Sequence, residues 1–151
     1  MTSNLPLIRL SAINPFLVEL RRRGVPVGEL LKDLGLPKDI PSEEDLFVAP
    51  GTIYEFVEQS ADLASDPYLG FTTGRGLTLE AWAPISSAAE KASTVGELLT
   101  LFILNATDHS SASRFFLRTD GVRTTFGLDR VVKLAFRPGQ NDAFYLGFMS
   151  R

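Results

Sequence analysis

The sequence predicts an α+β fold, in which helices come first and a small antiparallel sheet follows. Residues 14–107 carry apolar side chains at the three- and four-residue spacing of helices, whereas residues 113–136 are rich in Phe, Thr and Val. The last eleven residues, 141–151, return to a helical pattern. This order differs from the alternating strands and helices of a parallel sheet protein. At 151 residues, 44% of them hydrophobic, the chain is expected to form one domain over residues 1–151.

The N-terminal part predicts a helical hairpin. Asn14 and Pro15 begin the first helix, because an Asn side chain can cap it and a Pro at the first position loses no needed donor. Gly24 supplies the left-handed cap at its end. A second short helix runs from Pro26 to Gly35. The apolar face of the first helix consists of Phe16, Leu17 and Leu20.

A longer helix is predicted to start at Pro50 or Thr52 and to end near Ser65. Thr52 and Glu55 have the spacing of a capping box, in which each side chain satisfies a free amide of the first turn. Residues 68–84 contain three glycines, and the sequence predicts a loop with a short helical turn there.

The next helix is predicted from Thr94 to Thr107. Thr94 and Glu97 repeat the capping-box spacing, and a wide apolar stripe follows. The stripe consists of Val95, Leu98, Leu99, Phe102, Ile103 and Ala106.

Two strands, over residues 113–118 and 122–128, are predicted to form a hairpin. The Thr119-Asp120-Gly121 segment between them is a typical turn. Residues 131–136 are expected to add a third extended piece. A final helix starts near Asn141 and meets no stop signal before Arg151. We therefore expect this helix to be truncated and its domain to continue past the chain.

Composition excludes several classes of protein. There is no Cys and only one His, which removes disulfide frameworks and cysteine-ligated zinc, so no metal or cofactor is expected. The net charge is -3, whereas nucleic-acid-binding domains usually carry a basic face. No signal peptide or membrane-spanning segment is present in the sequence. DNA binding by these residues themselves is therefore not predicted.

Asp108, His109 and Ser110 are the residue types of a hydrolytic triad. Neighbours in sequence point in different directions, so they cannot form the relay of such a site among themselves. Two other interpretations stay open. His109 and Ser110 cap the end of the preceding helix, or His109 lines a ligand pocket where helix and strand meet.

Three charged or glycine-rich motifs are interpreted structurally. The glycines between Gly70 and Gly76 resemble a phosphate-binding loop only weakly and are expected to let the chain turn sharply. Arg21, Arg22 and Arg23 are interpreted as a solvated helix end. The acidic residues of the connection that follows, namely Glu43, Glu44 and Asp45, are interpreted as a solvated turn.

Several segments in order resemble one family. They are the run from Gly24 to Pro37, Leu46 to Pro50, Asp66 to Gly70, Ala92 to Leu99, Ser111 to Arg118 and Gly121 to Phe126. Together they resemble the effector-side N-terminal domain of AraC-type transcriptional regulators, in the arabinose-binding-type branch. The resemblance implies a cytoplasmic regulator in which this domain senses a small molecule or mediates a homodimer. It also implies a C-terminal DNA-binding domain with two helix-turn-helix units, which this chain does not include.

The sequence and the resemblance together predict a non-enzymatic regulatory domain. Its effector, an unidentified small molecule, is expected to bind between the strands and the 94–107 helix. Contact with DNA is expected only through the missing C-terminal domain. No membrane partner is predicted. One face of the first predicted strand carries Arg114, Phe116 and Arg118. This face is expected either to contact solvent or to line a cavity that binds an anion. The predicted ligand-binding residues are Trp82, His109, Arg114 and Phe116. The alternatives are a purely structural dimerisation module and a small hydrolase that uses Ser110 or Ser111 with His109.

Overall fold

The computed structural model describes residues 5–40 and 46–150 and confirms the α+β class. The predicted acidic turn at Glu43, Glu44 and Asp45 lies outside these residues. Within them the helices are α1 (Asn14–Arg22), α2 (Gly28–Asp33), α3 (Pro50–Leu63), α4 (Leu69–Gly76), α5 (Ala83–Lys91), α6 (Val95–Ala106) and α7 (Gly139–Met149). The strands are β1 (Ile8–Arg9), β2 (Phe47–Val48), β3 (Ser113–Thr119) and β4 (Thr124–Arg130).

The chain divides into two compact units. The helical unit contains the described parts of residues 9–77 and 134–150, hence helices α1 to α4 and α7. The hairpin unit contains residues 5–8 and 78–133, hence α5, α6, β3 and β4. Strand β1 pairs with β2, and β3 pairs with β4 in antiparallel register. Among the described residues, none of the helices has both the length and the apolar character needed to span a bilayer.

The two predicted N-terminal helices are present as α1 and α2, but α2 packs against α3 rather than against α1. Gly24 has a φ of 71° and makes the turn after α1, which suits a residue without a side chain. Asn14 begins α1 as predicted, but its side chain makes no cap, because a 3₁₀ helix (Leu10–Ile13) runs directly into α1. The buried face of α1 consists of Phe16, Leu17 and Leu20.

Helix α3 begins at Pro50, and the predicted capping box at its start is wrong. The Thr52 side chain makes no cap; instead its amide donates to the Ala49 carbonyl at 3.1 Å. The Glu55 carboxylate accepts from Gln59 at 2.9 Å. Pro50 occupies the first turn, and its fixed φ starts the helix without a side-chain cap.

The loop with a short helical turn that was predicted over residues 68–84 understates the helix there, because Leu69–Gly76 form α4. A Cβ at Gly70 would overlap the Gln140 carbonyl oxygen, and one at Gly74 would overlap that of Phe144. Gly147 on α7 lies equally close to the backbone of α4. The glycines therefore let two helices touch through their backbones rather than turning the chain, and α4 and α7 run in the same direction.

Gln140 fastens the start of α7 to its neighbours. Its amide donates to Glu58 Oε1 on α3 at 2.7 Å, and its side-chain oxygen accepts from the Gly70 amide at 2.8 Å. Its Nε2 donates to the Pro67 carbonyl at 2.9 Å. At the other end, α7 finishes at Met149, and the Ser150 hydroxyl donates to the Gly147 carbonyl at 3.0 Å.

Arg22 and Arg23, at the end of α1, both pair with Glu19. The Arg22 side chain is 68% exposed, as predicted for a solvated helix end, whereas the Arg23 side chain is only 23% exposed, which corrects the prediction at that residue. Arg22 donates two hydrogen bonds to Glu19, at 2.8 and 2.9 Å. Arg23 donates to Glu19 and to Asp66 at 2.6 Å each. Because Asp66 precedes α4, this network ties the end of α1 to the connection between α3 and α4.

Replacing Glu19 by glutamine is expected to make the protein less stable at neutral pH and less sensitive to acid. Hydrogen bonds from Arg22, and then from Arg23, lower the pKa of Glu19 to about 2, from an ordinary value of 4.5. Since the folded pKa is the lower one, the stabilisation is present above pH 4.5 and is lost as the pH falls towards 2. We expect Glu19→Gln to cost about 1 kcal/mol at pH 7 and to flatten the stability profile between these two pH values.

Urea unfolding at pH 7, 4.5 and 3, followed by circular dichroism, measures this effect. Glu90→Gln serves as the control, because Glu90 is exposed on α5. An acid profile of the Glu19 variant that matches the parent protein would contradict the assignment.

In the hairpin unit the predicted hairpin is confirmed. The register runs from Ser113 opposite Arg130 to Thr119 opposite Thr124. Gly121 has a φ of 80° in the turn, where Asp120 accepts from the Arg123 amide at 3.1 Å.

The third extended piece predicted over residues 131–136 is wrong. Its first residue, Val131, donates to the Ala112 carbonyl at 3.0 Å, but no strand follows within these residues. Residues from 134 onward group with the helical unit, so this segment is a connection between units rather than part of the sheet.

Helix α5 was not predicted, although Pro84 in its first turn is a helix-start signal. Its buried residues, Pro84, Ile85 and Ala88, form too short an apolar stripe to indicate a helix in the sequence. The capping box of α6 is confirmed. The Glu97 amide donates to Thr94 Oγ1 at 3.2 Å, and the Glu97 carboxylate accepts from the Ser93 amide at 2.8 Å.

Candidate functional site

An aromatic cluster forms the centre of the hairpin unit. Phe102 on α6 is fully buried, and its ring centroid lies 4.8 Å from Phe115 and 6.0 Å from Phe126. Trp82, just before α5, lies 5.5 Å from the same ring. Phe115 and Phe126 stack on each other at 5.8 Å. Contacts between aromatic rings therefore join helix α6 to the hairpin.

The hairpin has two different faces. Its inner face, directed at Phe102, carries Phe115, Leu117, Phe126 and Leu128, all of which are only half-buried. Its outer face carries Arg114, Phe116 and Arg118, because successive strand residues alternate between faces. On that face the Phe116 ring covers Gly127, and the Arg118 guanidinium lies 5.3 Å from the ring centroid.

The four predicted ligand-binding residues are distributed over different places. Trp82 is buried beside Phe102 on the inner side. Arg114 and Phe116 lie on the outer face, where Arg114 is exposed and opposite Asp129. His109 is half-buried in the connection between α6 and β3. The structure thus brings Arg114 and Phe116 together, but it places Trp82 on the opposite side of the hairpin.

The two serines that follow His109 form hydrogen bonds with backbone amides. Ser110 Oγ accepts from the Ala112 amide at 3.1 Å, and Ser111 Oγ accepts from the Leu7 amide at 2.9 Å. The amides of His109 and Ser110 both donate to the Ala106 carbonyl at 3.1 Å. The backbone amides of His109 and Ser110 thus close the end of α6, while the two serine hydroxyls bond to amides outside the helix.

A groove between α2 and α3 in the helical unit was missed by the sequence analysis. It has a volume of about 760 Å³ and is open to solvent on one side. We call it the α2–α3 groove; it is lined by Pro26, Gly28, Glu29, Leu30, Asp33, Gln59, Asp62 and Leu63. The only sequence signal was the pair Glu29 and Asp33, which fall on one helix face four residues apart.

Among the described residues, no group of three or more His, Asp or Glu side chains is placed to hold a metal ion. The carboxylates of the α2–α3 groove therefore do not converge on a single point.

Comparison with protein families gives a match over most of the chain. A family model described as the arabinose-binding domain of AraC transcription regulator, N-terminal, matches residues 24–149. The matched residues run from the turn before α2 to the end of α7, so they include elements of both units. No curated protein matches the chain.

Proposed function

Because the chain belongs to the family of N-terminal arabinose-binding domains of AraC transcription regulators, we propose that it is the sensing part of a cytoplasmic regulator. In this proposal it binds a small-molecule effector in the hairpin unit and controls a DNA-binding domain elsewhere in the regulator. The effector has only to favour one of two arrangements of the protein, and a coupling of about 1–3 kcal/mol is typical of such control.

The observation that carries the proposal is the incompletely buried boundary between α6 and the hairpin. Helix α6 is largely apolar, yet only Phe102 and Ala106 are buried. The inner hairpin face opposite is half-buried along both strands. A two-stranded hairpin is marginally stable by itself, so it can move away from α6 at low cost and admit a ligand.

The chemistry of this boundary favours an apolar or aromatic effector over a sugar. Trp82, Phe102 and Phe115 offer ring surfaces, whereas a sugar needs hydrogen-bond partners for its hydroxyl groups. Of the predicted ligand residues, Trp82 lies at this boundary and His109 at its end, where α6 leads to β3. Arg114 and Phe116 remain a separate proposal, for a ligand group on the outer face.

A thermal-shift screen tests the sensing function. We expect an apolar or aromatic small molecule to raise the melting temperature and to change the fluorescence of Trp82, the single tryptophan. L-arabinose serves as the polar comparison and is expected to have the smaller effect. If no molecule of either kind shifts the melting temperature, the sensing proposal fails.

A homodimer is the second candidate, and the exposed side of α6 favours it. Val95 and Leu104 are 72% and 63% exposed, and Glu97, the only charged residue of the helix, is engaged in the capping box. Val95 and Leu104 are nine positions apart and lie on opposite sides of the helix. The side around Leu104 also carries the exposed Thr100 and Thr107, and with one charged residue it can pair with itself around a two-fold axis. In this proposal the domain joins two regulators with or without an effector.

Sedimentation velocity over a range of concentrations tests the dimer. The parent chain is expected to approach twice its mass of 16.6 kDa. Leu104→Lys would place two like charges opposite each other and is expected to weaken association at least about tenfold. Val122→Lys is the control, because Val122 is 94% exposed in the hairpin turn. Equal association of both variants would exclude α6 as the dimer surface.

We propose no hydrolytic role for the chain. The hydroxyl oxygens of Ser110 and Ser111 accept hydrogen bonds from backbone amides, and the family is a regulatory one. A His109→Ala variant that loses no hydrolytic activity supports this assignment.

A further inference from the structure

The α2–α3 groove lies outside the hairpin unit and has no part in the proposed sensing function. Glu29 and Asp33 stand one turn apart on α2, and Asp62 faces the groove from α3. None of the residues that line the groove is a Lys or an Arg. The groove thus presents three carboxylates with no cation among its own walls.

Helix α3 makes the surroundings of the groove more negative still. It carries Glu55, Glu58 and Asp62 and contains no Lys or Arg in its 14 residues. Burial raises the pKa of Glu58, although its hydrogen bond from Gln140 opposes this, and the charge of Asp62 adds to the rise. Helix α3 therefore brings three carboxylates and no Lys or Arg to this part of the helical unit.

Apolar side chains lie between these carboxylates. Leu30, Leu63 and Pro26 line the groove, and Leu63 is 44% exposed although it is a large apolar residue at the end of α3. A small molecule is usually held in a site that buries most of its surface. The open shape therefore suits a segment of a larger molecule that is apolar on one side and charged on the other.

We propose that the α2–α3 groove is a docking site for a basic amphipathic helix of a protein partner. The apolar side of that helix packs on Leu63 and Pro26, the exposed apolar residues of the groove, since Leu30 is only 9% exposed. Its Lys and Arg side chains reach Glu29 and Asp33 on one rim and Asp62 on the other. Charge complementarity selects the partner, and Leu63 and Pro26 contribute the buried area.

Fluorescence anisotropy with a labelled peptide tests the docking site. The probe is a 14-residue peptide of Leu and Lys with the leucines on one helical face, added to the whole chain. The triple variant Glu29→Gln, Asp33→Asn, Asp62→Asn is expected to bind it about tenfold more weakly, since three partly exposed ion pairs are lost. Leu63→Ala is expected to weaken binding about threefold, through the lost apolar area.

A matched variant separates docking from general attraction to an acidic protein. Asp39→Asn, Glu80→Gln, Glu90→Gln removes the same three charges from exposed positions outside the groove, and it is expected to change binding less than twofold. Circular dichroism establishes that both triple variants are folded.

Three results would overturn the proposal. Equal weakening by the two triple variants would mean that the peptide senses only the net charge. Equal binding of a peptide with the same composition but scattered leucines would remove the amphipathic helix as occupant. Competition by free spermidine, together with an unaffected Leu63→Ala variant, would make the groove a site for small cations instead.

Discussion

Replacing Gly74 by alanine is expected to lower the free energy of unfolding by about 3 kcal/mol, although alanine is the better helix former. The new Cβ would overlap the carbonyl oxygen of Phe144 and would lie 2.9 Å from its carbonyl carbon. Both atoms belong to the backbone of α7, so no side chain can swing away to make room. Helix α7 has to shift, which disturbs the buried contact between Phe144 and Phe16, whose rings lie 5.4 Å apart.

Thermal unfolding followed by circular dichroism measures this effect, with an expected fall in melting temperature of roughly 6 to 12 °C. Gly76→Ala is the matched control, because Gly76 lies in the same helix and a Cβ there meets no atom within 4 Å. The control is expected to be neutral or slightly stabilising. Equal effects of the two substitutions would show that α4 and α7 are not held together through their backbones.

Replacing Phe102 by alanine is expected to cost about 4 kcal/mol. The ring is fully buried and is the shared neighbour of Trp82, Phe115 and Phe126, so its removal leaves a cavity that these three rings surround. The loss adds the transfer energy of the missing ring to the energy of the cavity. Because Trp82 is the single tryptophan, its emission reports directly on this cluster.

Urea unfolding followed by Trp82 fluorescence gives the measurement. Phe102→Leu keeps most of the volume and is expected to lose less than half as much stability. Val122→Ala, at an exposed turn position of the same unit, is expected to change stability by less than about 0.5 kcal/mol. If Phe102→Ala were no worse than Val122→Ala, the cluster would not be the centre of the hairpin unit.

The sequence predicted correctly the caps and turns that depend on interactions between residues close together in the chain. The Thr94 and Glu97 capping box, the Asp120-Gly121 turn and the Gly24 cap each involve residues within a few positions of one another, and each is present in the structure. The sequence indicated only a short turn where the eight-residue helix α4 forms, because the stability of α4 depends on a partner helix far along the chain. Gly70 and Gly74 weaken a helix in isolation, and nothing near them in the sequence reveals that α7 compensates for this.

The candidate site shows the same limit. Trp82 and Arg114 were chosen for their residue types, but the alternation of β3 places Arg114 on the face away from the Phe102 cluster. The α2–α3 groove was invisible in the sequence because its walls come from helices whose facing residues are about thirty positions apart. A sequence shows the charge along a single helix, but only the tertiary structure shows that two acidic helix faces lie next to each other.

The contact between α4 and α7 also affects the order in which the two units fold during synthesis. The hairpin unit is completed, apart from its first few residues, by a continuous stretch that ends at residue 133. The helical unit still needs α7, which leaves the ribosome last among the described elements and has to find α4 across some seventy residues. Such distant closures are slow, and units made earlier tend to fold earlier. We therefore expect a nascent chain in which the hairpin unit is already folded. The helices α1 to α4 of the helical unit are then not yet packed against α7, and the glycine face of α4 stays uncovered until α7 is made.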